Sequence, residues 1–264
     1  RRLPQKTDSI RVLFTTPESL DVLLARKAPL LQRTRYAVLD EVHQIFGTPR
    51  GAQLAFLLER LETFAACRIQ RIALSATVGD PDAVAAWISP QGPASVIAVT
   101  GGRHIVADLH WSTGPATIRR LVQGSTHNKI LCFVNSRRKS EDVYLALRGM
   151  PRLETYVHYS SLTRGQREFV ERGFKAAQMA VCVATTTLEL GIDIGSIQDV
   201  ILADPPTTVS SFLQRIGRGG RRGDVTYVKM TPHSSLELLR FAAMLTLADS
   251  GQVEVRTAGH PYSI

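Results

Sequence analysis

Short apolar runs rich in Val and Ile recur along this sequence and alternate with polar or amphipathic stretches. Continuous apolar runs are typical of strands buried on both faces, as in parallel sheets that helices cover. Their alternation with helical stretches predicts an α/β fold with doubly wound parallel sheets. The runs are IRVLF, YAVLD, RIALSAT, SVIAV, KILCFVN, YVHY, AVCVAT, VILAD and VTYVKM.

Helix starts are signalled between these runs. A Thr or Asp that can cap a helix is followed twice by Pro, which is favoured in the first helical turn. A third start has a Thr and a Gln at the spacing of a capping box. These signals are Thr16-Pro17, Asp80-Pro81, and Thr163 with Gln166.

Breaks in the pattern predict two lobes. SPQGP, TGG and STGPAT contain the Gly, Pro and Ser residues that mark loops, and they cluster between residues 89 and 116. We therefore expect a first lobe over 1–100, a linker over 101–115 and a second lobe over 116–231. The last stretch, 232–264, contains HSSLELLRFAAMLTLADSG, which predicts a helical extension that ends at Gly251.

The net charge of the 264-residue chain is +9, from 32 Lys and Arg against 23 Asp and Glu. Such an excess suits a polyanionic partner such as nucleic acid, but a merely basic soluble surface fits the charge equally well. The three cysteines are far apart and favour reduced thiols in a cytoplasmic protein over a metal site or disulfides. No apolar run approaches the length that spans a membrane.

The run YAVLD ends in Asp40, Glu41, Val42 and His43. Functional loops leave the carboxyl ends of parallel strands, so two adjacent acids there suit Mg²⁺ and an attacking water. Asp40 could hold the metal, usually through water, and Glu41 could activate the water that attacks a γ-phosphate. The alternative is a pair of acids that stabilises a helix start, and for this short match the two interpretations stay open.

Two shorter motifs lie on neighbouring strand ends of the first lobe. Ser75 and Thr77, in LSAT, could hydrogen-bond the acidic loop and relay its state. Thr16 and Glu18, in TTPESL, stand at a strand-to-helix corner whose backbone amides could receive a phosphate of a nucleic acid strand. Alone, the first motif carries little weight and the second is an ordinary helix cap.

The second lobe holds two longer motifs. ATTTLELGIDI follows a strand, so its hydroxyls could touch a sugar-phosphate backbone and Asp193 could reach a ribose. QRIGRGGRRGD interleaves arginines with glycines, and Gly219 and Gly220 would let the backbone approach a ligand closely. Arg218 and Arg221, three residues apart, could direct two guanidinium groups at one phosphate. Glycine interleaving favours this reading over a solvated basic loop.

In their order along the chain, TPES, DEVH, SAT, FVNSRR, TTTLELGIDIG and QRIGRGGRRG resemble the motifs of superfamily 2 helicases, over about residues 10–224. HYSSLTRGQREFVERGFKAAQMAVCVATTTLELGIDIG is most similar to the Lhr (large helicase-related) group. The resemblance implies two RecA-like lobes, the first incomplete at its N-terminus, with ATP between them and single-stranded DNA or RNA across both. We also expect a monomer.

The resemblance also implies residue roles. Asp40 and Glu41 would serve Mg-ATP, with Asp40 as the metal ligand. Arg218 and Arg221 would act as arginine fingers that face ATP. Lhr-type proteins usually carry His at the position of Arg221, so its finger role follows the DEAD-box pattern instead. The further implied roles are nucleotide contact for Gly191, Asp193, Gln214, Arg218 and Arg221, coupling for His43, Ser75 and Thr77, and nucleic acid contact for Thr16, Pro17, Glu18, Asn135, Ser136, Arg137, Thr185 and Thr186.

No Gly in the chain is followed by Lys, so the phosphate-cradling motif GxxxxGK[ST] is absent from it. We therefore expect an internal piece of a longer ATP-dependent helicase or translocase, which by itself does not hydrolyse ATP. The alternative is a RecA-like module that binds nucleic acid and never hydrolyses ATP. A duplex translocase of the chromatin-remodelling type fits the arginine motif less well.

Overall fold

The structure is a computed structural model, and it describes residues 10–76, 78–90, 92–98, 104–189, 195–222 and 225–253. These residues form two compact units, which divide between residues 99 and 100. Both units are α/β, as the alternation of apolar runs predicts. None of the helices in the described ranges is long and apolar enough to cross a membrane.

Unit 1 is a small layer of helices on a two-stranded parallel sheet. Strand β1 pairs with β2 in the register Tyr36↔Gln70 to Leu39↔Ala73. Short 3₁₀ turns at Pro29–Arg33 and Val42–Gln44 complete the unit. Its elements are α1 (Pro17–Ala25), β1 (Tyr36–Leu39), α2 (Pro49–Ala65), β2 (Gln70–Ala73) and α3 (Pro81–Ile88).

One face of the β1–β2 sheet is buried and the other is exposed. Leu39 packs with Leu54 and Leu58 of α2, whereas Tyr36 and Val38 are 65% and 59% exposed. A continuous apolar run predicts burial on both faces, so this prediction is wrong for β1 within the described residues.

Two predicted strands do not form in the described part of unit 1. IRVLF, residues 10–14, has no regular structure, and its Phe14 is 93% exposed. Residues 95–98 of SVIAV are also irregular, and Ile97 is 91% exposed. An apolar run becomes a strand only where a neighbouring strand accepts its backbone hydrogen bonds, and none of the described strands pairs with either segment.

Unit 2 is built on a seven-stranded sheet with the order β3-β9-β7-β4-β6-β5, in which β8 pairs antiparallel with β9 and the other pairs are parallel. Its strands are β3 (His104–Leu109), β4 (Lys129–Phe133), β5 (Glu154–His158), β6 (Ala180–Ala184), β7 (Asp199–Leu202), β8 (Arg221–Arg222) and β9 (Val225–Met230). Its helices are α4 (Pro115–Gln123), α5 (Arg137–Leu147), α6 (Arg164–Ala176), α7 (Val209–Ile216) and α8 (Ser235–Asp249), with a 3₁₀ turn at Thr186–Leu188.

Both faces of the central strands of this sheet are covered. Residues of α4 and α5, including Ile118 and Val143, pack on one face. Residues of α6, α7 and α8, including Phe174, Phe212 and Phe241, pack on the other. β4 and β6 are therefore buried along almost their whole length, as their continuous apolar runs predict.

The domain boundaries differ from the predicted ones at two points. Residues 101–115, predicted as a linker, include β3, which pairs in parallel with β9 from His104↔Val225 to Leu109↔Met230 and so belongs to the sheet of unit 2. The predicted helical extension is α8, whose Phe241 lies in the core of unit 2. Both segments are thus integral parts of this unit.

The three predicted helix starts are confirmed. Thr16 and Asp80 accept backbone hydrogen bonds as N-caps of α1 and α3, each with Pro in the first turn. Thr163 and Gln166 form a reciprocal capping box at α6.

Candidate functional site

In unit 1 the acidic turn follows the carboxyl end of β1. Glu41 has φ 50° and ψ 45°, a left-handed conformation that is strained for a residue with a side chain. Its backbone N–H donates to Oδ1 of Asp40 at 3.0 Å. The backbone N–H of the buried Val42 donates to the carbonyl oxygen of Leu74 at 3.0 Å, which fixes the turn to the end of β2.

The side chains of this turn are linked to the LSAT segment. Nδ1 of His43 lies 2.7 Å from Oγ of Ser75 and 3.4 Å from Oε2 of Glu41. The expected contact between Ser75 and the acidic loop is therefore present, and His43 makes it. Thr77 lies outside the described residues.

The carboxylate of Glu41 has an oxygen that this part of the protein leaves unsatisfied. Oε2 is buried and accepts no hydrogen bond from the described residues. A buried acceptor in this state costs about 1–3 kcal/mol. Asp40 is exposed, and carboxylate oxygens are the ligands that Mg²⁺ prefers. The two acids therefore fit a hydrated Mg²⁺ and a water held by Glu41.

The TPES corner is held by contacts inside unit 1. Thr16 accepts a hydrogen bond from the backbone of Ser19 at 3.3 Å. Nε of Arg50, in α2, donates to Oε1 of Glu18 at 2.8 Å, and this hydrogen bond is the main reason that the pKa of the exposed Glu18 falls to about 2. Pro17 occupies the first turn of α1. Glu18 thus ties α1 to α2.

In unit 2, the FVNSRR segment follows the carboxyl end of β4. Ser136 caps α5 by accepting from the N–H of Lys139 at 3.2 Å. Arg137 is 61% exposed, its Nε donates to Glu141 at 2.9 Å, and its guanidinium lies 4.9 Å from the ring centre of Tyr159. The guanidinium is therefore held in place and still open to solvent.

The ATTT segment follows β6 at the same edge of the sheet. The N–H of Thr185 donates to the carbonyl of His158 at 3.1 Å, and Thr186 is exposed. Oγ1 of Thr187 lies 2.8 Å from Nδ1 of His158. His158 is 1% exposed, and burial lowers its pKa. Gly191 lies outside the described residues.

The structure thus brings five predicted nucleic acid contacts to one edge of unit 2. Because β6 lies between β4 and β5, the loops that follow these three strands are neighbours. Asp193, which is predicted to contact the ribose of a bound nucleotide and not nucleic acid, lies outside the described residues. The five side chains at this edge are Asn135, Ser136, Arg137, Thr185 and Thr186.

The arginine motif spans a helix end and a strand start. α7 ends at Ile216, and β8 begins at Arg221, so Arg218 and Arg221 do not share a helical turn. A shared helical turn therefore does not bring the two guanidinium groups together, and their approach to one phosphate stays a prediction. The guanidinium of Arg218 donates to the backbone carbonyl of Glu189, Gln214 is half-buried, and the side chain of Arg221 lies outside the described part of the chain.

The glycines of this motif approach the protein itself. A Cβ at Gly219 would lie 2.6 Å from Ile197, and one at Gly220 would lie 2.1 Å from the carbonyl oxygen of Tyr227. Gly220 also has φ +65°. Internal packing therefore requires glycine at both positions, and the approach of a ligand stays a prediction.

Sequence reasoning missed the role of Arg215. Its side chain is 2% exposed, and its Nε donates to Oε1 of Glu189 at 2.7 Å. Its Nη1 donates to Oδ1 of Asn135 at 3.0 Å, and its guanidinium lies 5.3 Å from the ring centre of Phe133. Its place next to Ile216, near the end of an amphipathic helix, was the available signal that it faces the core.

A possible metal-binding group lies at the end of β7. One ligand atom each of Asp204, His233 and Glu237 falls within 4.8 Å of the others. Asp204 already accepts from the ammonium of Lys139 and from the N–H of Asn135. Glu237 accepts from the N–H of His233 at 3.1 Å at the start of α8. These contacts account for the cluster without an ion.

Two protein families match the chain. "DEAD/DEAH box helicase" matches residues 1–84, and "Helicase conserved C-terminal domain" matches residues 114–223. "Lhr helicase/ probable uracil glycosylase" of Mycolicibacterium smegmatis is 31% identical over 96% of this chain and 20% of its own length. "ATP-dependent helicase Lhr-Core" of Methanocaldococcus jannaschii is 37% identical over 80% of this chain and 26% of its own. The chain thus spans about a quarter or less of these relatives.

Solved structures support the fold. The structure of Mycobacterium smegmatis helicase Lhr bound to ssDNA and AMP-PNP has a TM-score of 0.82 and 33% identity, over 94% of this chain and 35% of that one. S. cerevisiae Dbp5 bound to RNA and ADP BeF₃ has a TM-score of 0.69 at 22% identity, over 92% of this chain and 64% of that one, which supports a RecA-like fold alone. With two helicase families in the expected order and Lhr proteins among the matches to sequence and structure, the chain belongs to the Lhr group of superfamily 2 helicases.

Proposed function

We propose that this chain is the part of an ATP-dependent helicase that couples ATP hydrolysis to movement on single-stranded nucleic acid. The observation that carries the proposal is the acidic turn after β1. There the strained Glu41 keeps a buried carboxylate oxygen without a hydrogen bond from the described residues, and His43 links the turn to Ser75. A module that only binds nucleic acid has no chemical need for this arrangement.

ATP and Mg²⁺ are the proposed cofactors. When bound, Mg-ATP supplies the phosphoanhydride bond that is broken. Asp40 would hold the metal ion through water, and Glu41 would act as the general base that accepts a proton from the attacking water. We assign nucleotide contacts in unit 2 to Gln214, Arg218 and Arg221, with Gly191 and Asp193.

His43, Ser75 and Thr77 are proposed to report the state of the acidic turn. The contact of His43 with both Glu41 and Ser75 supports this role, because a change at the carboxylate alters the partner of Nδ1. A movement of the His43 side chain is thereby passed to Ser75, in the segment that follows β2.

The proposed nucleic acid surface has a part in each unit, at the start of α1 in unit 1 and at strand ends in unit 2. In unit 1 it comprises Thr16, Pro17 and Glu18, where Glu18 positions α1 through Arg50. The net charge of +9 and the hydroxyl-rich loops favour contacts to the phosphate backbone over base recognition. In unit 2 the surface comprises Asn135, Ser136, Arg137, Thr185 and Thr186.

Salt-dependent binding of single-stranded DNA by the chain tests this surface. Each phosphate neutralised contributes about −0.7 to the slope of log K against log salt. Arg137→Ala is expected to weaken binding and to reduce the steepness by about 0.7. Arg172→Ala is the control, because Arg172 is exposed in the second half of α6, away from this edge, and it should leave the slope unchanged. A flat salt dependence, or a strong preference for one base sequence, would contradict the proposal.

A further inference from the structure

A buried ion pair lies beneath the edge of unit 2 that carries the proposed nucleic acid contacts. The carboxylate of Glu189 is 11% exposed and accepts from Nε of Arg215 at 2.7 Å and from Oγ of Ser211 at 2.9 Å. The backbone carbonyl of the same residue accepts from the guanidinium of Arg218. Glu189 therefore contacts two arginines of the QRIGRGGRRG motif through different atoms.

The same network reaches the loop after β4. Nη1 of Arg215 donates to Oδ1 of Asn135 at 3.0 Å. Nδ2 of Asn135 donates to the carbonyl of Pro205 at 2.7 Å, and its backbone N–H donates to Oδ2 of Asp204 at 2.8 Å. Both ends of the Asn135 amide are thus fixed, so the loop that begins there is held by the core.

Stability alone does not explain this pair. Transfer of two charges into the interior is costly, and well-packed apolar residues of similar volume often stabilise a fold as well or better. A guanidinium adds geometry, because its donors form a planar fork that fixes the acceptors around it. In this protein the fixed acceptors are Glu189 and Asn135, on the segments that follow β6 and β4.

We propose that Glu189 is a positioning residue for nucleic acid binding, which acts through Arg215 on Asn135 and through its carbonyl on Arg218. It touches neither nucleic acid nor nucleotide. The inference rests on the proposed function, because it gives the FVNSRR loop its role as a nucleic acid contact. One residue, Glu189, is thereby joined to the proposed nucleic acid loop through its carboxylate and to the turn that carries Arg218 through its backbone carbonyl.

The test is the affinity of the 264-residue chain for single-stranded DNA after Glu189→Gln. The amide keeps the shape and removes the charge that holds Arg215. Electrostatics alone predicts equal or tighter binding, because a negative charge is lost from a chain of net charge +9. Positioning predicts the opposite, a loss of about three- to tenfold, which is the effect of one weakened hydrogen bond. The salt slope should not change.

Glu154→Gln is the matched control. Glu154 is exposed at the start of β5, at the opposite edge of the sheet, and the substitution changes the charge equally. It should leave affinity within about twofold of the unaltered chain. Equal affinities for the two variants would overturn the inference, because the effect of Glu189 would then be one of charge alone.

A second variant covers the case in which Glu189→Gln does not fold. The double substitution Glu189→Leu with Arg215→Met replaces the pair with apolar side chains and leaves no buried charge without a partner. Circular dichroism establishes that it folds, and weaker DNA binding by the folded double variant is expected. Affinity equal to that of the unaltered chain would overturn the inference. If the unaltered chain itself bound no DNA, both the proposed function and this inference would fall.

Discussion

Gly220 gives the sharpest test of how the arginine motif is built. Its φ of +65° is left-handed, its carbonyl accepts from the N–H of Tyr227 at 2.6 Å, and a Cβ would lie 2.1 Å from the carbonyl oxygen of Tyr227. The perturbation is Gly220→Ala. Gly149→Ala is the control, because Gly149 has φ +81° and nothing lies within 4 Å of the Cβ position.

Both substitutions lose free energy of unfolding to the left-handed backbone, and only Gly220→Ala also loses it to a steric clash. Left-handed backbone costs an L-residue about 1–2 kcal/mol, which is the whole cost expected for Gly149→Ala. Gly220→Ala adds about 1–3 kcal/mol for forcing an atom into a packed site and about 1 kcal/mol for the weakened hydrogen bond. The expected totals are about 3–6 kcal/mol at Gly220 and about 1–2 kcal/mol at Gly149.

Thermal unfolding of unit 2 measures the difference. The chain has two tryptophans, Trp87 in α3 and Trp111 just after β3, so a Trp87→Phe background leaves the fluorescence of unit 2 alone. At about 3 °C per kcal/mol for a unit of this size, Tm should fall by about 9–18 °C for Gly220→Ala and by about 3–6 °C for Gly149→Ala. Equal losses would refute the argument that close approach to Tyr227, and not the backbone angle alone, requires glycine.

Three further outcomes are expected. In the full-length helicase, Glu41→Gln should slow single-turnover hydrolysis at least about 100-fold and leave equilibrium ATP binding nearly unchanged, and near-normal hydrolysis would remove Glu41 from the mechanism. Arg218→Ala should reduce ATP turnover by roughly 10³-fold and leave the affinity for DNA without nucleotide unchanged. Arg218→Lys should restore little of the turnover, because an ammonium lacks the planar fork of a guanidinium. Weaker DNA binding with normal turnover would instead make Arg218 a contact to a nucleic acid phosphate. Burial lowers the pKa of His158 in the folded state, so the unfolded state binds more protons as pH falls through about 6.5. The Tm of unit 2 should therefore fall between pH 7.5 and pH 5.5, and it should fall less in the variant His158→Gln.

Most strands could be predicted because their signal is local. β4 and β6 are apolar at nearly every position and are buried on both faces. IRVLF and SVIAV carry the same signal and form no strand in the described residues, because a strand also needs a hydrogen-bonding neighbour, which a local pattern does not reveal. β3 lies in the predicted linker, because its partner β9 follows more than 100 residues later in the chain and a local pattern does not reveal which sheet a strand joins.

The sequence predicts at which strand ends the candidate site residues lie, but it does not predict the contacts between their side chains. The acidic turn lies after β1, and the FVNSRR and ATTT loops lie after neighbouring strands, as the rule for parallel sheets predicts. The environment of Arg215 could not be predicted, because its partners Glu189 and Asn135 are 26 and 80 residues away. The packing of Gly219 and Gly220 could not be predicted for the same reason, because their close neighbours Ile197 and Tyr227 lie on other segments.

Glu41 combines two costs that seldom coincide in one residue. A left-handed conformation disfavours any side chain with a Cβ, by about 1–2 kcal/mol. A buried oxygen that accepts no hydrogen bond from the described residues adds about 1–3 kcal/mol. Gly or Asn at this position would relieve the first cost, and a shorter side chain would relieve the second. Strained residues persist where the surrounding structure holds them, and they cluster at functional sites. The hydrogen bond from Val42 to Leu74 and the contact of His43 with Ser75 provide that support at the two residues that follow Glu41. The turn is therefore built to present this carboxylate, and its chemistry explains the arrangement better than stability does.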